Sequence, residues 1–149
     1  MQDPRTDLQS ALKDAMKSQN TRRRDVIRLV QSAIKQEEVD SRKTLSSDEI
    51  IGILQREAKR RRESIADYEK GGRDDLVQQE QEELVIIEEF LPEQLSDAEL
   101  ATIVDDVITK TGATSPKEMG KVMGQVMAQV KGLADGTRVN QIVREKLNT

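Results

Sequence analysis

Three short stretches constrain this chain more than anything else in it: Ser46-Ser47-Asp48-Glu49, Ser96-Asp97-Ala98-Glu99 and Ser115-Pro116-Lys117-Glu118. Each places a glutamate three residues after a serine. That is the spacing of a capping box, in which the serine oxygen accepts an orphan amide of the first helical turn and the glutamate accepts the serine's own amide. Proline at the first helical position strengthens the third start. No alternating β-branched run of useful length appears anywhere. The chain therefore reads as all-α and multihelical.

Periodicity fills in the helices. Leu8, Leu12, Ala15 and Met16 share a face over about 7–18, and Val26, Leu29, Val30, Ala33 and Ile34 share one over about 21–39. Residues 40–45 read as a short polar link. The Ser46 box opens a third helix that runs to Lys70, where Gly71-Gly72 supplies a left-handed stop and turn. A fourth covers about 73–90 and ends before Leu91-Pro92, because proline disfavours helix for its predecessor. Three shorter helices follow: one from Ser96 to near Gly112, one from Ser115 to about Lys131, and one capped near Asp135 that carries Val139, Ile142, Val143 and Leu147. The natural boundary is Pro92. It separates an N-terminal helical subdomain (1–92) from a C-terminal three-helix subdomain (93–149).

Composition removes several classes of chemistry. The chain has no cysteine and no histidine, so it lacks the commonest general base and metal ligand and any thiol nucleophile. No phosphate-cradling glycine loop or serine nucleophile elbow occurs. Glu80, Glu82, Glu83, Glu88 and Glu89 are hard oxygen donors, yet no calcium-loop spacing surrounds them. The expectation is no metal, no cofactor and no catalytic residue. The opening Met1-Gln2-Asp3-Pro4-Arg5 is polar and unlike a signal peptide, and no apolar run approaches the ~18 residues of a membrane span. Cysteine-free composition suits a reducing compartment. The expectation is a cytoplasmic protein without a membrane segment.

Net charge is −4, but its distribution is uneven. Residues 74–99 hold ten acidic and no basic side chains, while the segments on either side are mildly basic. Two candidate surfaces arise. On the third helix, Arg56, Lys59 and Arg60 point away from the seam of Ile51, Leu54, Ala58, Ile65 and Tyr68, and offer a phosphate-binding face. The competing reading is a solvated face with ion pairs to the acidic fourth helix. Arg61 falls in the seam itself. Folding about Gly71-Gly72 brings it opposite residue 82 or so, and predicts a structural ion pair with Glu80 or Glu83.

The second surface lies between Met119 and Lys131. Met119, Val122, Met123, Val126 and Val130 make an inner stripe, and Gly120, Gly124 and Ala128 line the opposite face, with Lys117, Lys121 and Lys131 around them. Glycine in a helix costs roughly 1 kcal/mol each. Two on one face require a close approach, by another helix or by a phosphate backbone.

These stretches resemble the YqeY family, whose relatives form the tail domain of the B subunit of the glutamine-dependent tRNA amidotransferase (GatB). The resemblance is carried by Arg60-Arg61-Arg62-Glu63-Ser64-Ile65, Glu88-Glu89-Phe90-Leu91-Pro92-Glu93-Gln94-Leu95, Thr111-Gly112-Ala113, Met119-Gly120-Lys121-Val122-Met123-Gly124 and Lys131-Gly132-Leu133-Ala134-Asp135-Gly136 with Val139-Asn140. It runs in order along nearly the whole chain, and the tail-domain kinship covers mainly the C-terminal half. It implies a two-part helical fold and a role in tRNA metabolism, with tRNA and an aminoacyl-tRNA-modifying enzyme complex as partners. The family is linked to carbon–nitrogen ligation with glutamine as amide donor, but nothing here matches the catalytic subunits. Leu133 departs where many relatives carry a basic residue, which removes a charged contact from that loop. The resulting expectation is a non-catalytic accessory protein that binds tRNA through Lys117, Lys121, Lys131 and Arg138. The alternative is a protein–protein module that docks to an enzyme complex or to itself through the Gly120/Gly124 face.

Overall fold

The computed structural model describes residues 3–148. Among the described residues it contains seven α-helices, one 3₁₀ turn and no strand: α1 (Pro4–Lys17), α2 (Thr21–Ser41), α3 (Ser47–Lys70), α4 (Asp74–Glu88), α5 (Asp97–Thr111), the turn Pro116–Glu118, α6 (Met119–Val130) and α7 (Gly136–Leu147). The chain is all-α. It divides into two compact units at Leu91/Pro92.

The helix starts follow their caps. Ser46 Oγ accepts the amide of Glu49 at 3.2 Å and Glu49 returns the bond at 3.2 Å; Ser96 and Glu99 repeat this at 3.1 Å each way. These bonds hold the Glu99 carboxyl below the usual carboxylate range, and Glu49 falls to about 2 because Lys43 adds a side-chain bond to the Ser46 contacts. Two starts differ from expectation. The first helix begins at Pro4 rather than near Asp7, because Asp3 caps it with proline in the first turn. The helix expected from Ser115 opens instead as the 3₁₀ turn and becomes α-helical only at Met119. There the Glu118 carboxylate accepts the amides of Thr114 and Ser115. At the stops, Gly112 and Arg42 both adopt the left-handed conformation, the glycine freely and the arginine against the steric preference of a Cβ.

In the N-terminal unit one core gathers Leu8 and Ala11 from α1, Val26, Ile27, Val30 and Ile34 from α2, Ile50, Ile53, Leu54 and Ala58 from α3, and Ile87 from α4. Fully burying each large side chain contributes about 1.5–3 kcal/mol. The segment expected as a polar link also supplies Leu45 to this core. Glu38 fixes it there: its carboxylate accepts the Leu45 amide at 2.8 Å and the Arg5 guanidinium at 2.7 Å.

The C-terminal unit packs Leu100, Val104 and Val107 of α5, Val122, Val126 and Val130 of α6, and Val139, Val143 and Leu147 of α7. Met119, Met123 and Met127 lie half-buried against that core, so the methionines pack and do not line a groove. Leu133 accepts the Leu95 amide through its carbonyl at 2.8 Å, which pins the loop before α7 to the start of α5.

Candidate nucleic-acid interface

The outer face of α6 is open. Gly120, Gly124 and Ala128 are exposed, and so are Lys117, Lys121 and Lys131. A Cβ built on Gly120 or Gly124 would meet nothing within 4 Å. Packing within the described residues of the C-terminal unit therefore does not account for the two glycines. Lys121 lies on α6 beside the strip, Lys117 precedes the helix in the 3₁₀ turn, and Lys131 stands at its C-terminal end. Among the described residues no ion pair engages any of the three. Exposed lysines beside a backbone without side chains can reach a polyanion without first breaking an ion pair.

Arg138 differs from these lysines. It sits on α7 and forms an ion pair with Asp97 at the start of α5. Eight residues further along both helices, Lys146 pairs with Asp105 at 2.9 Å. The two pairs fix α5 and α7 parallel and in register, and they span a cleft of about 660 Å³ with Ala101 and Ile142 in its wall. Arg138 is thus committed to architecture, and an anion would have to displace Asp97 to use it.

The arginine run of α3 also separates by role. Arg56 is exposed and Lys59 half-buried, and no ion pair engages either among the described residues. Arg60 stands 3.6 Å from Glu57. Arg61 is buried, as the seam requires, but its partner is not on the fourth helix. Its Nη1 donates to Glu57 Oε2 at 2.6 Å and to the Glu57 carbonyl at 3.3 Å. The expected pair with Glu80 or Glu83 is replaced by one along α3 itself. Residues i and i+4 are neighbours on one helix face, so Glu57 meets Arg61 with no help from the hairpin. Glu83 still feels the Arg61 charge, but burial and the nearby Glu80 together raise its carboxyl above the usual range. Sequence reasoning missed Glu57, although the i,i+4 spacing to Arg61 was the available signal.

On and just after α4, outward glutamates turn to α2: Arg22 pairs with Glu82, Arg23 pairs with Glu89 at the C-cap, and the Arg23 guanidinium lies 5.6 Å from the centre of the Phe90 ring. Among the described residues no group of three or more acidic side chains is placed to hold a metal ion, and no helix is long and apolar enough to cross a membrane.

Comparison with known proteins places this geometry in context. A family model described as Yqey-like protein matches residues 5–147. Among curated proteins, similarity is found to "Altered inheritance of mitochondria protein 41, mitochondrial" of three yeasts. The Vanderwaltozyma polyspora protein is 29% identical over 120 residues, covering 75% of this chain and 64% of the relative. The Eremothecium gossypii protein is 39% identical over 85 residues, 56% of this chain and 46% of the relative. The Lachancea thermotolerans protein is 30% identical over 112 residues, 73% and 60%. The chain spans about half to two thirds of the length of these relatives. Their names place those proteins in mitochondria, which overturns the expectation of a cytoplasmic location drawn from composition. Absence of cysteine constrains redox environment alone, and a reducing interior is not peculiar to one compartment.

Proposed function

The chain belongs to the YqeY family, and from that premise we propose that it is a non-catalytic accessory protein of tRNA metabolism that binds tRNA through the outer face of α6. One observation carries the reading. Gly120 and Gly124 leave a strip of bare helix backbone, where an added Cβ meets nothing within 4 Å, beside three lysines that no carboxylate of the described residues engages. A phosphate backbone can approach such a strip closely while ammonium groups neutralise its charge. The only aromatics, Tyr68 and Phe90, lie on other elements, so the strip offers no base-stacking platform and recognises the shape and charge of a folded RNA. Arg138 contributes little, because Asp97 holds it. Arg56 and Lys59 form a secondary basic surface.

The same strip suits a second reading, in which a helix of an enzyme complex packs on the two glycines. Salt separates the two. Titration of labelled tRNA at several salt concentrations gives a steep decline in affinity for phosphate contacts and a shallow one for helix packing. The tRNA reading expects the steep decline; no binding of tRNA at low salt overturns it.

A further inference from the structure

Helices α1 and α2 meet along a groove in the N-terminal unit, and three hollows of about 270, 280 and 190 Å³ follow one another in it. Gln9 and Gln31 line both of the first two. Met16, further along α1, and Arg28, one turn back along α2, carry the groove into the third. The charged lining is Arg5, Lys13, Arg24, Arg28, Lys35 and Glu38, five basic side chains against one acidic. Helical period explains the sorting. Arg24, Arg28, Gln31, Lys35 and Glu38 recur at three- and four-residue steps and so share one flank of α2. Asp25, Glu37 and Asp40 fall outside the lining, as Asp7 and Asp14 of α1 do. Glu38 is engaged by Arg5 at 2.7 Å, and Arg24 by Asp25 at 2.9 Å. Lys13, Arg28 and Lys35 are exposed, and among the described residues no ion pair engages any of them. The groove therefore keeps an excess of positive charge after its own ion pairs are made.

The uncharged lining decides which polyanion such a groove takes. It is mostly amide and hydroxyl, from Thr6, Gln9, Ser10, Asn20, Thr21 and Gln31. Met16 is the one exposed large apolar side chain in it. A partner helix laid in a groove needs a row of apolar anchors, and a membrane surface needs an apolar face to insert. Phosphate and sugar oxygens instead accept from Arg, Lys, Ser, Thr, Asn and Gln side chains. Arg24 to Lys35 spans roughly 16 Å along α2, which suits a chain of phosphates better than a single one. Neither helix carries an aromatic residue, so nothing here stacks on a base. We propose that the α1–α2 groove binds the phosphate backbone of a folded RNA through Lys13, Arg28 and Lys35. This contact shares its ligand class with the α6 reading and none of its residues.

The test titrates labelled tRNA with the full chain at several salt concentrations. The Lys13→Gln, Arg28→Gln, Lys35→Gln variant breaks no ion pair among the described residues, so its melting temperature is expected to hold. It is expected to lose about 2–3 from the slope of log K against log salt, and about tenfold or more in affinity at low salt. The Lys117→Gln, Lys121→Gln, Lys131→Gln variant is expected to keep that share of the slope. Unaltered slope and affinity in the groove variant overturn the proposal, whatever the α6 variant does. Loss confined to the groove variant supports the groove and overturns the α6 reading instead. Because the chain has no cysteine, an iron chelate tethered to Gln9→Cys reports position independently. It is expected to cleave bound tRNA, and an uncut tRNA in a saturated complex overturns the proposal. Polyglutamate of matched charge is expected to compete poorly for the α6 variant. Displacement of tRNA at equal charge concentration would assign the groove to an acidic protein and overturn the RNA assignment.

Discussion

Glu57 and Arg61 sit one turn apart on α3 and hold each other at 2.6 Å, with 3% and 7% of their side chains left to solvent. A charge pair so far withdrawn from water is sensitive to the loss of either member, because the survivor keeps its desolvation cost and loses its counter-charge. We expect Glu57→Ala to lower unfolding free energy by ~3–5 kcal/mol. Replacing both residues with methionine is expected to cost far less. Urea unfolding of the three proteins checks this; a loss below ~1 kcal/mol for Glu57→Ala would mean the pair behaves as a solvated one.

Acid sensitivity follows from the caps. Glu49, held at about 2 by Lys43 and the Ser46 bonds, has a lower pKa folded than the ~4.3 of a free glutamate. Its contribution is therefore present above the unfolded value and lost as pH falls toward the folded one. Glu38, lowered by its bonds to Arg5 and Leu45, and Glu99, lowered by its Ser96 bonds, act in the same direction. Glu49→Gln is expected to reduce stability at pH 7 and to flatten its decline between pH 4.3 and 2. Thermal unfolding across that range decides, and an unchanged slope contradicts the assignment.

Glu83 carries the opposite sign. Burial and Glu80 raise its carboxyl, so its ionised form disfavours the fold and protonation relieves it. Glu83→Gln should raise the melting temperature at pH 7, with the gain shrinking as pH drops through the range where Glu83 itself takes up a proton. A gain that persists undiminished at low pH, or a loss at pH 7, contradicts this.

How far these residues could be read from the sequence depends on the range of the interaction. Ser46, Ser96 and Asp135 cap helices where the pattern put them, because a cap is settled within four residues. Asp3-Pro4 is an equally local start signal, three residues ahead of the apolar stripe that begins at Leu8. Arg61 is buried because its position in the seam follows from helical period. Its partner is less legible, because the Gly71-Gly72 turn brings cross-helix carboxylates opposite it while Glu57 lies nearer, one turn back on the same helix. Arg138 could not be separated from the free lysines in advance: its tie to Asp97 depends on the register of α5 against α7, which no local pattern encodes. Openness over Gly120 and Gly124 is likewise a tertiary fact.

The glycine strip makes a prediction in which stability and binding move apart. A methyl group on Gly120 or Gly124 meets nothing within 4 Å, so each Gly→Ala change should stabilise α6 by up to ~1 kcal/mol. The same methyl groups obstruct close approach from outside. Gly120→Ala with Gly124→Ala is expected to melt higher and bind tRNA more weakly. Higher melting with unaltered tRNA affinity would separate the glycines from the interface.

Most direct is the salt dependence of tRNA binding for the chain and for its Lys117→Gln, Lys121→Gln, Lys131→Gln variant. Each ammonium–phosphate contact adds about 0.7–0.9 to the slope of log K against log salt. The three exposed lysines of the α6 face should therefore account for about 2–3 of that slope, and the variant should lose it together with most of its affinity at low salt. Equal slopes and equal affinities in the two proteins would place any tRNA contact elsewhere and contradict the assignment of this face.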